Sequence, residues 1–337
     1  MKQLEFLGPG ELAWRDVDAP KIREGHEVLV RPLAVGRCDL DYYTIKGALP
    51  FPAPFAIGHE IVGEIVEIGS NVETFAVGQK VAVPCNVNCG SCKTCQRELT
   101  ACCETTEGGA YGVPAAFGGY YGGGLSDLII VPFGESMLVP IPDHVDPVSV
   151  ACLGDNISDA YRTVGPYLEQ DPDQSVLIVG GISVGLYAAA IAKALGCKRV
   201  DYMDRRQHHL EMAEALGANV IDAQIDGPIE EKYQIVVDAS ARIEGISYAL
   251  KSLAPGGICT CTGTHFNDAI PIPYMSMYQT DATLKVGLTH SRAVMDKALD
   301  LVIDGTFKPE MVTTTLLPFE EVADHYGMPS TKLVATR

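Results

Sequence analysis

Val176-Leu177-Ile178-Val179-Gly180-Gly181-Ile182-Ser183-Val184-Gly185 is the stretch that decides the fold. Its first four residues are an unbroken apolar run, the pattern of a strand buried on both faces. A glycine turn follows, and the small and apolar residues after it predict a helix over residues 184–195. A glycine-rich turn between strand and helix is the pattern that receives a dinucleotide pyrophosphate. Gly180 makes the tight turn, Gly185 lets helix and strand pack closely, and the helix N-terminus offers free N–H groups to phosphate. The pattern departs at its middle position, where Ile182 stands beside Gly181. A side chain there crowds the phosphates unless the loop shifts so that Gly181 serves.

Asp204 lies nineteen residues beyond Gly185, at the end of the next predicted strand. A carboxylate there accepts hydrogen bonds from the adenosine ribose and repels a 2′-phosphate, which favours NAD over NADP. Arg205 and Arg206 follow at once, and either stack on adenine or welcome a phosphate. Strands over 199–203, 235–238, 257–262 and 282–286 alternate with helical stretches such as 206–216. Alternation of this kind predicts a parallel sheet wrapped by helices.

The first 150 residues read differently. Short strands over 26–32, 61–68, 81–84 and 128–132 are separated by turns. Residues 108–124 hold eight glycines and four aromatics, Tyr111, Phe117, Tyr120 and Tyr121, and read as an irregular loop. This half is a β-rich lobe. The tail returns with a helix over 293–304, a strand near 311–316 and a short helix near 319–326.

Inside the β-rich lobe stand Cys89, Cys92, Cys95 and Cys103, spaced Cys-x2-Cys-x2-Cys-x7-Cys. Four crowded thiolates repel one another until a soft cation neutralises them. Zinc in a closed tetrahedral sulfur site does so, and such a site is structural. A second metal site is assembled from scattered residues: Cys38, His59 in Gly58-His59-Glu60, and Asp155 in Leu153-Gly154-Asp155-Asn156. Three protein ligands with one open position are the architecture of catalytic zinc. Glu60 is either an alternate ligand or a partner supporting the ligands.

The chain has 337 residues, 47% of them hydrophobic and 20% charged, which suits about two soluble domains. A formal net charge of −18 argues against nucleic acid as a partner. No apolar run reaches the ~18 residues of a membrane span. Eleven cysteines behind an N-terminus without a basic-then-apolar build predict reduced thiols and a cytoplasmic location.

Together these motifs resemble a zinc-dependent medium-chain dehydrogenase/reductase of the alcohol dehydrogenase superfamily. The match runs from Gly58-His59-Glu60 through Gly63 and Gly69 to Val72, and includes the cysteine run, the glycine loop and Asp204. Val83-Pro84-Cys85-Asn86-Val87-Asn88-Cys89-Gly90, Gly108-Gly109-Ala110-Tyr111-Gly112 and Asp155-Asn156-Ile157 bring it nearest to glutathione-independent formaldehyde dehydrogenases and their shorter relatives. In that branch the third catalytic ligand is an aspartate, which points to Asp155.

The resemblance implies an α/β chain with a GroES-like β-rich catalytic domain over 1–154 and 290–337. A Rossmann doubly wound parallel-sheet domain over 155–289 would bind NAD. It implies two zinc ions per chain, one catalytic and one structural. Hydride would pass between a small alcohol, aldehyde or ketone and the nicotinamide. Cofactor contacts are expected from Gly180, Gly181, Ile182, Ser183, Val184, Gly185, Asp204, Arg205, Ser240, Thr262, Gly263 and Gly287. Lys332 either reaches the pyrophosphate or is a solvated terminal lysine. A homodimer or homotetramer is expected, paired through the last strand of the nucleotide sheet, residues 283–287. No membrane partner is expected.

Three departures stand out. Leu40 occupies the place of a proton-relaying Ser or Thr, leaving Tyr43, Asp41 or water as the route. Tyr43 stands where many relatives have a relay histidine. Asp159 stands where a small or hydroxyl residue meets the nicotinamide. With Ile182, these motivate the rival expectation of a dinucleotide-binding regulatory or structural protein that has lost catalysis. A zinc-free quinone reductase is disfavoured by the four-cysteine lobe. Tyr43, Tyr120, Tyr121 and Met275 line either a substrate pocket or the core.

Overall fold

The computed structural model describes residues 1–337 and divides into two compact units. The first comprises Met1–Ser158, Thr289–Ile303 and Thr313–Arg337; the second comprises Asp159–Leu288 and Asp304–Val312. Residues 304–312 thus pack with the second unit, although the sequence pattern places them in the returning tail of the β-rich lobe.

The first unit is built on a seven-stranded sheet. Its long central strand, Val28–Arg37, pairs antiparallel with Glu60–Ile68 on one side and with Leu333–Thr336 on the other. Alternating apolar residues of this sheet, including Val28, Val30, Ile61, Ile65, Val81 and Val83, form one core cluster. The register sets Gly36 opposite Glu60, and Leu333 opposite Arg37. Cys38, His59 and Lys332, each one or two residues beyond those pairs, therefore arrive at the same end of the sheet. Buried Arg37 secures the returning tail by donating to the carbonyls of Tyr326, Met328 and Ser330.

The second unit is a six-stranded, wholly parallel sheet. Its spatial order is Asn219–Asp222, Val200–Asp204, Val176–Val179, Tyr233–Asp238, Leu253–Cys261, Thr283–Lys285. This is the doubly wound order that reverses beside its first strand, Val176–Val179, and ligands bind at the carboxyl ends of such strands. That strand is wholly buried, as its unbroken apolar run requires. The Ser183–Ala194 helix after it is buried along nearly its whole length, which its alanines permit.

Several elements escaped the sequence pattern. The Asn156–Leu168 helix carries Gly165 and an internal Pro166. The strands Lys2–Gly8, Asn219–Asp222 and Leu333–Thr336 are short and lie away from any strong periodic signal. The strand expected near 311–316 begins later, at Thr315, behind a turn of 3-10 helix over Pro309–Met311.

Gly185 is required by packing: a Cβ there would lie 2.4 Å from the Gly180 carbonyl oxygen. Gly185→Ala should therefore destabilise the protein by ~1–3 kcal/mol through overpacking against rigid backbone. A lowered thermal midpoint is expected by calorimetry, and an unchanged one would mean that the loop yields without cost.

Candidate active site

The three scattered residues of the proposed open metal site converge. Donor atoms of Cys38, His59 and Asp155 all lie within 4.8 Å of one another, and all three residues are buried. Cys38 follows the central strand directly and caps the Asp39–Ile45 helix. The backbone N–H of Cys38 donates to Asp41 Oδ2 at 3.2 Å. Asp41 Oδ1 also faces His59 Nδ1 at 3.6 Å, so His59 turns its other nitrogen, Nε2, to Asp155 Oδ2 at 3.4 Å. Asp155 ends a 3-10 turn, Ala151–Gly154, that packs tightly on the sheet: a Cβ on Gly154 would lie 2.2 Å from the Val83 carbonyl.

Around these donors lies a buried polar network. Asn156 donates its side-chain amide to Asp155 Oδ2 at 3.1 Å and to Cys38 Sγ at 3.4 Å. Its backbone N–H donates to Glu60 Oε1 at 3.0 Å. Lys332, 1% exposed, uses all three ammonium donors: to Glu60 Oε2 at 2.5 Å, to the Arg37 carbonyl at 2.9 Å and to Asn156 Oδ1. Cys85 Sγ sits 3.7 Å from Asp155 Oδ1 and 3.5 Å from Ser291 Oγ.

The donor set fits a borderline cation. Sulfur, imidazole nitrogen and carboxylate oxygen are the ligand types of catalytic zinc. His59 Nδ1 is buried without a hydrogen bond, just beyond range of Asp41. Burial and the charge of Asp155 push the Cys38 thiol up to about 12. Burial disfavours a charged His59, but the carboxylates of Asp41 and Asp155 outweigh it and raise its proton affinity well above the ordinary value. Protons thus occupy the place of missing positive charge, and a dication would displace them.

The four-cysteine cluster is equally compact, with all four sulfurs within 4.8 Å of one another. Cys92 and Cys103 sulfurs are 3.9 Å apart, close to the ~3.8 Å that two thiolates on one tetrahedral zinc require. Backbone N–H groups of Cys89 and Cys92 point at cluster sulfurs. The Thr94 hydroxyl pulls Cys92 down to about 5, whereas burial and Cys92 push Cys95 up to about 12. The cluster is able to hold a structural zinc.

In the second unit, Gly180 and Gly181 take φ values of +66° and +95°, a conformation natural to glycine, while Ile182 keeps φ at −103°. Gly181 thus supplies the backbone freedom that Ile182 lacks. Ser240, Thr262, Gly263 and Gly287 all lie just beyond the carboxyl ends of parallel strands. Ser240 donates to buried Asp238 Oδ1 at 2.6 Å, and Thr262 N–H to the Asp238 carbonyl at 3.0 Å. Asp204 ends its strand as expected, but its oxygens are already engaged by Arg206, His209 and Tyr202.

The alcohol dehydrogenase GroES-like domain matches residues 24–143, and the zinc-binding dehydrogenase domain matches residues 183–304. L-threonine 3-dehydrogenase of Shewanella loihica is 31% identical over 74% of this chain and 70% of its own length. The chain belongs to the zinc-binding alcohol dehydrogenase family. Glutathione-independent formaldehyde dehydrogenase of Pseudomonas aeruginosa is 33% identical, over 67% of this chain and only 60% of that enzyme. Among solved structures, an alcohol dehydrogenase of Thermus sp. ATN1 superposes with a TM-score of 0.92 at 29% identity, covering 100% of this chain and 99% of the other.

Within this family framework two expectations need correction. Glu60 does not join the three donors, because Lys332 and the Asn156 N–H hold both of its oxygens. Lys332 is neither solvated nor directed to a pyrophosphate, since its three donors are consumed inside the first unit. Tyr43 is 42% exposed with its ring edge-on to Tyr42, and no contact ties it to the donors. Asp159 is ion-paired at 2.5 Å with Arg162, which also donates to the Cys261 carbonyl. Tyr120 and Met275 are exposed, and Tyr121 packs on Tyr111.

Sequence reasoning missed Asn156 and the Lys332–Glu60 pair as supports of the donors. Adjacency to Asp155 was the only available signal for the first. The second joins residues 272 positions apart. Lys332→Met should destabilise by ~3–5 kcal/mol by leaving Glu60 buried and unpaired. Lys332→Met with Glu60→Leu should recover most of that loss in urea unfolding. A single variant as stable as the parent would show that the pair is not needed to offset the buried carboxylate.

Proposed function

We propose that this chain is a zinc-dependent oxidoreductase that transfers hydride between the carbon of a small alcohol, or the corresponding aldehyde or ketone, and a nicotinamide dinucleotide. The convergence of Cys38, His59 and Asp155 carries this reading. In it, those three side chains hold the catalytic zinc, and Cys89, Cys92, Cys95 and Cys103 hold a structural one. When bound, the catalytic ion supplies a Lewis acid that makes an alcohol hydroxyl more acidic and a carbonyl more electrophilic.

The chain's own residues do the rest. Asp41 Oδ1 faces His59 Nδ1 across 3.6 Å, and the opposite nitrogen, Nε2, is the one turned toward Asp155 and free for the ion. Asn156 restrains both the Asp155 carboxylate and the Cys38 sulfur. Lys332 and Glu60 anchor Asn156 from behind. Leu40 offers no hydroxyl, so the substrate proton leaves by a route without that side chain. The glycine loop and the Ser183–Ala194 helix receive the pyrophosphate. Asp204, at the end of its strand, is the feature that supports NAD as cofactor.

The substrate class of the formaldehyde dehydrogenase relative does not transfer with a match over 60% of its length. The regulatory alternative gains nothing from Asp159, whose charge is compensated by Arg162.

We also propose a homo-oligomer paired through the Thr283–Lys285 strand. That strand ends its sheet, and Ile272, Tyr274, Met275, Tyr278, Val286 and Leu288 around it are exposed. A reducing, cytoplasmic setting suits eleven cysteines of which none is disulfide-bonded. No helix is long and apolar enough to cross a membrane.

Elemental analysis of the purified protein should find about two zinc ions per chain, falling to about one in Cys38→Ala. Cys38→Ala and His59→Ala should retain the circular dichroism of the parent yet lose turnover across a panel of alcohols and aldehydes followed at the reduced-nicotinamide absorbance. Full activity of Cys38→Ala after chelation would refute the assignment. Tight dinucleotide binding by the parent, with no turnover of any panel member, would favour the regulatory reading.

A further inference from the structure

Asp204 stands where the sequence rule expects an open carboxylate for the adenosine ribose, yet this carboxylate is not open. Arg206 grips it with a two-pronged guanidinium: Nε donates to Oδ1 at 3.0 Å and Nη2 to Oδ2 at 2.6 Å. The backbone N–H groups of Arg205 and Arg206 add donors to Oδ1, at 2.6 and 3.0 Å. Tyr202 OH donates to Oδ2 at 3.3 Å, and His209 Nδ1 lies 3.2 Å from the same oxygen. Two carboxylate oxygens offer about four lone-pair positions. Six donors already compete for them.

The same guanidinium reaches the phosphate loop. Arg206 Nη2 also donates to the Gly181 carbonyl at 2.6 Å. Arg206 therefore spans the strand end that carries Asp204 and the turn that would carry the pyrophosphate. Its side chain remains 41% exposed, whereas that of Asp204 is only 7% exposed. A ligand arriving at this edge meets the cation before the anion.

Charge points the same way. Asp204 contributes one negative charge, and Arg205 and Arg206 contribute two positive ones within two residues. The repulsion that a bare carboxylate would exert on a 2′-phosphate is cancelled locally. A planar guanidinium is also the side chain best matched to a phosphate's oxygens. A ribose diol, in contrast, gains little from a carboxylate whose lone pairs are taken.

We infer that Arg206 sets the specificity of the adenosine end, and that this chain accepts a 2′-phosphorylated dinucleotide, NADP, as well as NAD. The inference rests on the dinucleotide reading of the second unit and replaces the NAD preference that Asp204 alone implies.

The test is calorimetric titration of the full-length protein with adenosine 2′,5′-bisphosphate and with 5′-AMP, which needs no turnover. The bisphosphate should bind within about tenfold of 5′-AMP, or tighter. Arg206→Ala should weaken the bisphosphate by about tenfold or more, the loss expected for charge-assisted hydrogen bonds, while 5′-AMP binds as before or better. Should Arg206→Ala fail to fold, Arg206→Gln provides the same comparison with a neutral side chain. A parent protein that binds the bisphosphate more than about tenfold weaker than 5′-AMP overturns the inference. So does a folded variant with an unchanged ratio of the two affinities. If neither nucleotide binds, the dinucleotide reading itself falls, and this inference falls with it.

Discussion

Three buried carboxylates, Asp41, Glu60 and Asp155, gather at one end of the first unit's sheet, and a single buried ammonium, Lys332, is set among them. Carboxylates are costly in a dry interior unless each finds a donor or a cation. Lys332 and the Asn156 N–H each hold one oxygen of Glu60, and Lys332 reaches Asp155 only through Asn156. Asp41 and Asp155 are left to face opposite nitrogens of His59. An imidazole carries at most one positive charge, and Cys38 adds a group that ionises only against a cation. The arrangement is deficient in positive charge at one point, and that point lies among the three donors. A dication there is what the proposed function asks the surrounding framework to hold.

This explains which parts were legible in the sequence. The cysteine run and the glycine loop are local: spacing over a few residues carries the chemistry, because ligands on one turn must reach one ion and one helix end must meet one phosphate. Cys38, His59 and Asp155 are far apart in the chain, so residue type alone makes them candidates and only the resemblance singles out Asp155 as the third ligand. Glu60 sits beside His59, so proximity in sequence suggested a ligand. The side chain, however, meets Lys332, which the register of Leu333–Thr336 on the central strand brings to the same end of the sheet. Neither that register nor the identity of the partner is written in a local pattern. Lys332 misled for the same reason. A lysine five residues before the last looks solvated until the antiparallel pairing of Leu333 with Arg37 draws it inward.

The two candidate metal-ligand groups of the first unit are also mechanically joined. Ala101, two residues before Cys103, donates its N–H to His290 Nδ1 at 3.1 Å. His290 holds a left-handed backbone, φ +37°, which is unusual for a histidine and fixes the start of the Ser291–Ala293 turn. Ser291 next to it touches Cys85, which touches Asp155. Arg292 donates to the Ser136 carbonyl, and the Ser136 hydroxyl donates to the Asn88 carbonyl beside Cys89. The segment 290–292 is therefore clamped to the four-cysteine lobe at both ends. An ion that closes that lobe would stiffen the surface against which Asp155 is held, which gives a structural ion a physical role beside the proposed catalytic donors.

The nucleotide unit shows a different limit of motif reading. Asp204 is in the place that the rule specifies, and the strand order, the loop and the helix all agree with it. The rule fails to register that the residue two positions later folds back onto the carboxylate. Arg206 is the N-cap of the Gln207–Ala215 helix, so the chain turns there and brings its side chain over the strand end. A carboxylate signals repulsion of phosphate only while it is unpaired. Once a guanidinium covers it and also binds the Gly181 carbonyl, the carboxylate no longer meets a ligand alone, without any change at the diagnostic position. The quantity that discriminates cofactors at such a site is the net field of the strand end and the first turn of the next helix, not the identity of one acid.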